Sequence, residues 1–156
     1  QHPLMPSTQI VLGDLNTLSP LDADAHRRDG LVEALATDET GRLQNKFLKP
    51  KGDDASEAAD YDPMQMLLNT PLFDLAVNED AGGALAGYST VPTEIDGIDP
   101  MHSAPMRIDF VLASPLVAPL SRARALQTAE THTLSDHYPV RCRVTCALRT
   151  GDRQEL

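Results

Sequence analysis

Short apolar segments alternate with polar connections along this chain, which is the pattern of a protein that mixes helices and strands. Residues 9–12 form an apolar, β-branched run that ends at Gly13, and this run predicts a buried strand. Residues 106–113 and 138–148 alternate apolar and polar side chains, which predicts two more strands, the second of them half-buried. A further strand is predicted over residues 123–128.

Two helix-start signals stand between these strands. Ser-Pro-Leu-Asp at residues 19–22 places a hydroxyl cap before a proline at the first helical position. We therefore expect a helix over residues 21–36, with the Asp-Gly pair at 29–30 as a point of interruption. Asp-Pro-Met-Gln at residues 62–65 predicts a second, short helix with Met64 on its apolar face.

The remaining segments are predicted to be connections. Residues 46–60 are polar and lack an apolar period, which predicts an exposed loop, and residues 70–75 predict a short turn. Residues 82–105 are rich in Gly, Pro, Thr and Ser, and we expect them to form a long loop across the functional face. No internal repeat or boundary is visible, so residues 1–156 are interpreted as a single domain, or part of one.

The charge balance bears on the class of partner. The chain has 23 acidic and 13 basic residues, which gives a net charge of −10. A nucleic-acid binder usually presents a basic face, so this balance counts against tight duplex binding by the chain alone. The acidic excess is concentrated in residues 53–62 and 74–80, however, and it includes carboxylates that a metal site would use.

The apolar content indicates a protein without a membrane segment. No apolar run approaches the roughly 20 residues that span a bilayer, and neither end resembles a signal peptide. We expect a soluble protein without a membrane partner, and an intracellular location is favoured.

Cys142 and Cys146 lie about 13 Å apart on one predicted strand, which is too far for a disulfide. They are expected to act as small buried hydrophobes.

Residues 13–16, Gly-Asp-Leu-Asn, place polar groups where the first strand meets a loop. Because side chains alternate along a strand, Asp14 and Asn16 are expected to point the same way. The carboxylate can accept a proton from an attacking water, while the amide holds that water or a phosphoryl oxygen. The alternative interpretation is structural, since Asp-x-Asn after a strand is a common turn device.

Residues 106–111 place an acid inside an apolar strand, where an unpaired carboxylate would be costly. Arg107 shares the face of Asp109 on the predicted strand and is one candidate for its partner. The functional alternative is that Asp109 orients a histidine and stabilises its charged form.

Residues 133–140 place Asp136 and His137 side by side at the mouth of the last strand. Asp136 can bind a hard cation through oxygen, and His137 can contact a phosphoryl oxygen on which charge develops. Taken alone, the segment is equally typical of a loop with a surface histidine.

In this order, the three segments resemble the motifs of the endonuclease/exonuclease/phosphatase superfamily, whose fold is that of deoxyribonuclease I. The resemblance runs from residue 10 to residue 144, with Leu15 where an aromatic residue is more usual. It implies an α/β fold: the C-terminal half of a two-sheet mixed β-sandwich flanked by helices, which makes a four-layer sandwich.

The same resemblance assigns a role to each motif residue. Asp14 would be the base that orients the nucleophilic water, and Asn16 would place the scissile phosphate. Asp109 and His137 would form a coupled catalytic pair, with His137 also binding the substrate. Asp136 would bind the divalent metal, Mg²⁺ or Mn²⁺ in its place.

The superfamily domain also has an N-terminal half, which supplies a metal-binding glutamate and an asparagine. Residues 1–9 contain no acid, so that half is an expected partner, and we expect weak or no activity from these residues alone. The expected activity is metal-dependent hydrolysis of phosphoester bonds by in-line attack of water. A nuclease that acts on nucleic acid is favoured over a small-molecule phosphatase, and a non-catalytic binding scaffold is the alternative.

Overall fold

The structure is a computed structural model. Its central strand is buried on both faces and pairs with a strand on each side. The structure describes residues 8–49, 58–76, 88–93 and 104–144. The strands are Ile10–Asp14 (β1), Phe73–Asp74 (β2), Asp109–Ala113 (β3), Arg122–Ala125 (β4) and Val140–Arg143 (β5). The α-helices are Ala23–Arg28 (α1), Leu31–Ala36 (α2), Arg42–Phe47 (α3) and Asp62–Leu68 (α4). Short 3-10 turns occupy Pro20–Asp22, Ala118–Leu120 and Thr131–Thr133.

The described residues form two antiparallel sheets, and the chain is a mixed α/β protein. The first sheet has the strand order β1-β3-β2, and the second is the β4-β5 hairpin. One face of β3 presents Phe110 and Leu112 to Met64 of α4. The other face presents Val111 and Ala113 to a cluster that the hairpin joins. The first sheet therefore lies between a helix and the hairpin.

Strand β1 differs from its prediction. Ile10, Val11 and Leu12 are 40%, 36% and 70% exposed, so the expectation of a buried strand is wrong for the described residues. The strand also continues through Gly13 to Asp14. Strand β1 is exposed because it lies at the edge of the described sheet, where it pairs with β3 on one side.

The other predicted strands are present but shorter. Residues 106–108 precede β3, and Met106 forms an isolated bridge with Val91 of the Gly- and Pro-rich loop. The strands expected over 123–128 and 138–148 correspond to β4 and β5, and β5 alternates half-buried and exposed side chains as predicted. Residues 145–148, Cys146 among them, lie outside the described residues, as do 77–87 and 94–103.

The first helical region follows its local signals. Ser19 Oγ accepts a hydrogen bond from the Leu21 amide at 3.2 Å, so the predicted cap is confirmed. Helices α1 and α2 are separate because Gly30 adopts a left-handed conformation with φ of 68°. The interruption expected at residues 29–30 is therefore confirmed. Helix α4 likewise starts where predicted, with Met64 fully buried.

Two predicted connections contain regular structure. Residues 46–47 end α3, and Leu48 forms a bridge with Ala59, so residues 46–60 are not a single exposed loop. Residues 50–57 of that stretch lie outside the described residues. Helix α3 is only six residues long, and Leu43 and Phe47, four residues apart, bury one face of it. Residues 73–74 of the predicted turn form β2 instead.

A buried ionic network joins the helices to the first sheet. Arg107 is 1% exposed, and its Nε donates to Asp22 Oδ2 at 3.0 Å. Nη2 of Arg107 lies 2.9 Å from the same oxygen, and Nη1 lies 2.7 Å from Asp74 Oδ2. These two contacts are ion pairs that do not have hydrogen-bond geometry. The guanidinium stands 4.5 Å from the centre of the Phe110 ring. Arg107 is therefore not the partner of Asp109, and that alternative is wrong.

The network holds two carboxylates around one cation. Burial raises the pKa of Asp22, against the opposing attraction of Arg107, and the negative charge of Asp74 adds to the increase. Burial alone would lower the pKa of Arg107, but its two carboxylate neighbours raise it, so the guanidinium stays charged. Removing the cation would leave both acids buried without compensation.

His26 is the second buried ionisable group of this region. Its ring is 1% exposed, and Nδ1 lies 2.9 Å from the hydroxyl of Tyr61, on which it stacks at a centroid distance of 5.7 Å. Burial, aided by the positive charge of Arg107, lowers the pKa of His26 to about 4. The histidine is therefore neutral in the folded protein at pH 7.

None of the α-helices in the described part of the chain is both long enough and apolar enough to cross a membrane.

Replacing Arg107 with alanine is expected to lower the free energy of unfolding by about 3–5 kcal/mol, because Asp22 and Asp74 stay buried without their cation. Urea unfolding at pH 7 measures this loss. Arg42→Ala is the matched control, since Arg42 is exposed on α3 and its loss should change stability by less than about 0.5 kcal/mol. Equal effects of the two changes would contradict a structural role for the network.

His26 makes stability depend on pH in a defined direction. Its pKa is near 6.5 in the unfolded chain and about 4 in the folded protein, so the unfolded state binds the proton first on acidification. Stability from this group is full above pH 6.5 and falls by about 3 kcal/mol as the pH drops to 4. His26→Phe keeps a ring beside Tyr61 and removes the titration. Urea unfolding at several pH values should give a flatter profile for the variant; parallel profiles would contradict the assignment.

Candidate active site

The antiparallel pairing of β1 with β3 brings the first two motifs together. Asp14 is the register partner of Asp109, at the end of one strand and the start of the other. Residues paired in this way have Cα atoms roughly 4.5–5.5 Å apart and direct their side chains to the same face. Two carboxylates therefore stand side by side at the edge of the first sheet.

The third motif reaches the same place through the loop before β5. His137 Nδ1 lies 2.7 Å from Asp109 Oδ2, and the two side chains are 21% and 18% exposed. A carboxylate only accepts hydrogen bonds when it is ionised, so in that state Nδ1 of His137 carries the hydrogen of this contact. The carboxylate also stabilises the imidazole when it is charged.

Asp14 and Asn16 are in contact, but through a turn rather than through strand alternation. Asn16 has φ of 50°, a left-handed conformation that takes it out of the strand. Its backbone N–H donates to Asp14 Oδ1 at 2.8 Å, and its amide Nδ2 donates to Asp14 Oδ2 at 2.7 Å. The turn interpretation thus describes the local geometry, and the expectation of strand alternation is wrong at Asn16. Both oxygens of Asp14 are held in place by this turn.

Lys46 joins this group from helix α3. Its ammonium donates to the amide oxygen of Asn16, which leaves the amide nitrogen directed at Asp14. Lys46 is half-buried, and its ammonium lies 5.0 Å from the centre of the Phe47 ring. It was missed because residues 46–60 were interpreted as a loop. The available signal was the i, i+4 pair of apolar residues that flanks it, Leu43 and Phe47.

Thr90 ties the second motif to the third. Its buried Oγ1 accepts hydrogen bonds from the amides of Ile108 at 3.0 Å and Asp109 at 3.2 Å. Its carbonyl accepts the amide of Tyr138 at 2.8 Å, immediately after His137. One threonine therefore fixes the backbone on both sides of the Asp109–His137 contact. No local pattern in the loop sequence marks this residue.

Further contacts fix the loop that carries His137. Thr93 Oγ1 donates to the carbonyl of Ser135 at 2.6 Å. The Tyr138 hydroxyl lies 2.6 Å from His132 Nδ1, and the two rings meet edge to face at 5.2 Å. These contacts hold the loop at both of its ends, so the position of His137 is determined by its surroundings.

Asp136 lies beside this group with an exposed side chain. Ser135 Oγ donates to Asp136 Oδ1 at 3.0 Å and accepts the His137 amide at 3.3 Å. A carboxylate oxygen is a suitable ligand for Mg²⁺. Among the described residues, however, no group of three or more His, Cys, Asp and Glu side chains is arranged to hold a metal ion. Asp136 can therefore supply one ligand, but the described residues do not form a complete magnesium site.

An open cavity of about 340 Å³ lies next to the histidine. Its walls come from β1, β3 and the loop before β5, and they include Gly13, Asp109 and His137. This volume is within the range of small-molecule sites, so Asp109 and His137 line a space that a phosphate group can enter.

Replacing Thr90 with valine is expected to lower the free energy of unfolding by about 1–3 kcal/mol, because two buried amides lose their acceptor. Hydrogen exchange at the amides of Ile108 and Asp109 should become faster. Thr37→Val is the control, since this exposed hydroxyl only donates to the Ala34 carbonyl, and its loss should change stability by less than about 0.5 kcal/mol. Unchanged exchange in the Thr90 variant would show that the hydroxyl does not hold the strand.

Comparisons with protein-family models, with curated proteins and with solved structures find no match for this chain. The function is therefore inferred from the arrangement of residues 14, 16, 46, 109 and 137.

Proposed function

We propose that this protein is a divalent-metal-dependent hydrolase of phosphoester bonds, and that it acts as a nuclease through in-line attack by water. The observation that carries the proposal is the convergence of the three motifs. The Asp109–His137 contact of 2.7 Å stands directly beside Asp14, which is held by Asn16, and Asn16 in turn accepts a hydrogen bond from Lys46. These segments are separated by many residues in sequence, and a merely local turn role would not require them to meet.

Asp14 is the group proposed to act on the nucleophile. Its two oxygens accept hydrogen bonds from Asn16, which fixes the carboxylate while leaving further lone pairs on each oxygen. A water held there donates one proton to Asp14 as its oxygen forms the new bond to phosphorus. The bond from phosphorus to the leaving oxygen then breaks, and that oxygen takes a proton from solvent.

His137 and Lys46 are proposed to stabilise the negative charge of the phosphoryl group. Asp109 holds Nδ1 of His137, and the ring nitrogen Nε2 is proposed to donate to a phosphoryl oxygen when the ring is charged. The ammonium of Lys46 is held beside Asn16, where it adds positive charge next to the proposed phosphate position. A histidine fixed by a carboxylate needs little reorganisation when this charge develops.

The proposed cofactor is Mg²⁺, with Mn²⁺ as a substitute. Asp136 would supply one oxygen ligand, and the remaining ligands would come from outside the described residues. When bound, such an ion would neutralise charge on the phosphoryl oxygens.

The proposed hydrolase has a larger fold than the one that the described residues form. We infer a four-layer α/β sandwich in which an N-terminal half covers the first sheet and completes the metal site. Ile10, Val11 and Leu12 support this inference, because they form an exposed apolar strand at the sheet edge. Covering by another element is one of the ways in which native proteins protect an exposed apolar edge strand.

His137→Ala and Asp14→Asn are expected to lower kcat by at least roughly 100-fold, since each removes a group that acts on the reacting atoms. Asp109→Asn should also reduce kcat, because a neutral amide cannot stabilise a charged imidazole. Asp24→Asn is the matched control, because Asp24 is an exposed acid on α1. The assay measures cleavage of a single-stranded oligonucleotide and of bis(p-nitrophenyl) phosphate, with Mg²⁺ or Mn²⁺ and with chelator.

The assay is run on the longest natural form that contains these residues and on residues 1–156 alone. The longer form should cleave with metal and stop with chelator, while residues 1–156 should be weakly active or inactive. A folded longer form that cleaves neither substrate would favour a non-catalytic scaffold. Robust turnover by residues 1–156, free of contaminating nuclease, would contradict the need for a second half.

A further inference from the structure

The β4-β5 hairpin carries four arginines on one face. The register pairs Arg122 with Arg143 and Arg124 with Arg141. Residues that pair directly share a face, as do residues two apart on one strand, so all four side chains lie on the same side. All four are exposed, while the opposite face of the hairpin packs against the core through Ala123, Val140 and Cys142.

This arginine face is electrostatically unfavourable by itself. Like charges directly opposite each other on paired strands destabilise the pairing, and here this happens twice in succession. The exposed cations Arg27, Arg28 and Lys49 each form an ion pair with an acid. In the described part of the chain, Arg124 and Arg141 form no ion pair of this kind.

The segments that contain the hairpin carry no acid of their own. Residues 110–129 and 137–151, which contain β4 and β5, include no Asp or Glu, although the chain has 23 acids in 156 residues. At physiological salt a charge is screened beyond about 8 Å. A polyanion near the hairpin would respond to the local arginines more than to the net charge of −10.

The arginine face is continuous with the candidate active site. Strand β5 begins three residues after His137. A cavity of about 450 Å³ is lined by Thr90 and Asp109 and by residues of both hairpin strands, including the four arginines. A chain bound along the hairpin would thus lie against a cavity that Asp109 also lines.

We propose that the arginine face, formed by Arg122, Arg124, Arg141 and Arg143, binds the sugar-phosphate backbone of a single-stranded nucleic acid. The proposal rests on the proposed phosphoester hydrolysis and gives its substrate class. Guanidinium groups match phosphate oxygens in a two-point geometry, and successive arginines on one strand stand roughly 7 Å apart. The paired arginines stand on two adjacent strands about 4.8 Å apart, so the face is narrow enough to follow one phosphate strand rather than the two strands of a duplex. No aromatic residue lies in either strand of the hairpin, so binding should not depend on base identity.

Binding is measured separately from cleavage, by fluorescence anisotropy of a labelled poly-dT oligonucleotide in the presence of chelator. If four phosphates are contacted, the affinity should fall roughly 50-fold between about 50 and 200 mM salt. The Arg124→Gln/Arg141→Gln double variant should bind at least roughly tenfold more weakly than the parent at about 100 mM salt. Between about 50 and 200 mM salt, the affinity of the variant should fall only roughly sevenfold. Both changes are exposed, and thermal unfolding verifies that the variant is folded.

The matched control is Arg27→Gln/Lys49→Gln, which changes the net charge equally but removes cations that are already paired with Asp24 and Asp62. This control should bind like the parent protein. Equal weakening by both double variants, or no binding by the parent, would overturn the proposal. A polyglutamate peptide is the competing ligand: binding as tight as that of poly-dT, with the same dependence on Arg124 and Arg141, would assign the face to an acidic protein segment instead.

Cleavage and binding then separate the two proposals. Arginine-dependent binding by a protein that does not cleave would support the nucleic-acid surface and count against hydrolysis. Metal-dependent cleavage together with unchanged binding by the Arg124→Gln/Arg141→Gln variant would keep the hydrolase and overturn this surface.

Discussion

Arg107 connects three separate parts of the molecule through two buried ion pairs. Asp22 belongs to the turn before α1, Asp74 belongs to β2, and Arg107 directly precedes β3. A buried ion pair contributes little net stability compared with an apolar equivalent, but its partners are costly to separate. The network therefore acts mainly as a constraint on geometry: it fixes where β3 begins, and the candidate site starts two residues later, at Asp109.

The buried ionic network explains why Arg107 and Asp109, two residues apart, have different partners. Arg107 and Asp109 would share a face in a regular strand, and pairing between them would satisfy both. Instead, the guanidinium is buried against Asp22 and Asp74, while the backbone amide of Asp109 is held by Thr90. Asp109 thus stays at the rim of the sheet, where His137 reaches it. The cost of burying the cation is compensated internally, and the carboxylate remains available for the histidine.

The parts of the structure that could be predicted are those encoded by neighbouring residues. The cap at Ser19, the break at Gly30 and the start of α4 follow from local backbone preferences. The parts that could not be predicted depend on residues far apart in sequence, for which a single sequence has no local signal. Lys46 meets Asn16 across 30 residues, and Arg107 meets Asp22 across 85. The exposure of β1 is of the same kind, because an apolar run indicates a preference for burial but not which surface covers it.

The distribution of charge unites the site with the hairpin. Asp14 and Asp109 stand opposite each other at the sheet edge; Asp14 accepts hydrogen bonds from Asn16, and Asp109 contacts the imidazole of His137. The hairpin presents the opposite sign, with arginines facing arginines and no acid in either strand. A ligand that carries repeated negative charges would relieve the repulsion on the hairpin. Near Asp14 and Asp109 the same ligand would meet negative charge, unless the imidazole of His137 or a metal ion stands between them. Under the proposed function, a polyanion would therefore be bound mainly through the hairpin and would meet the carboxylates only at the site of reaction.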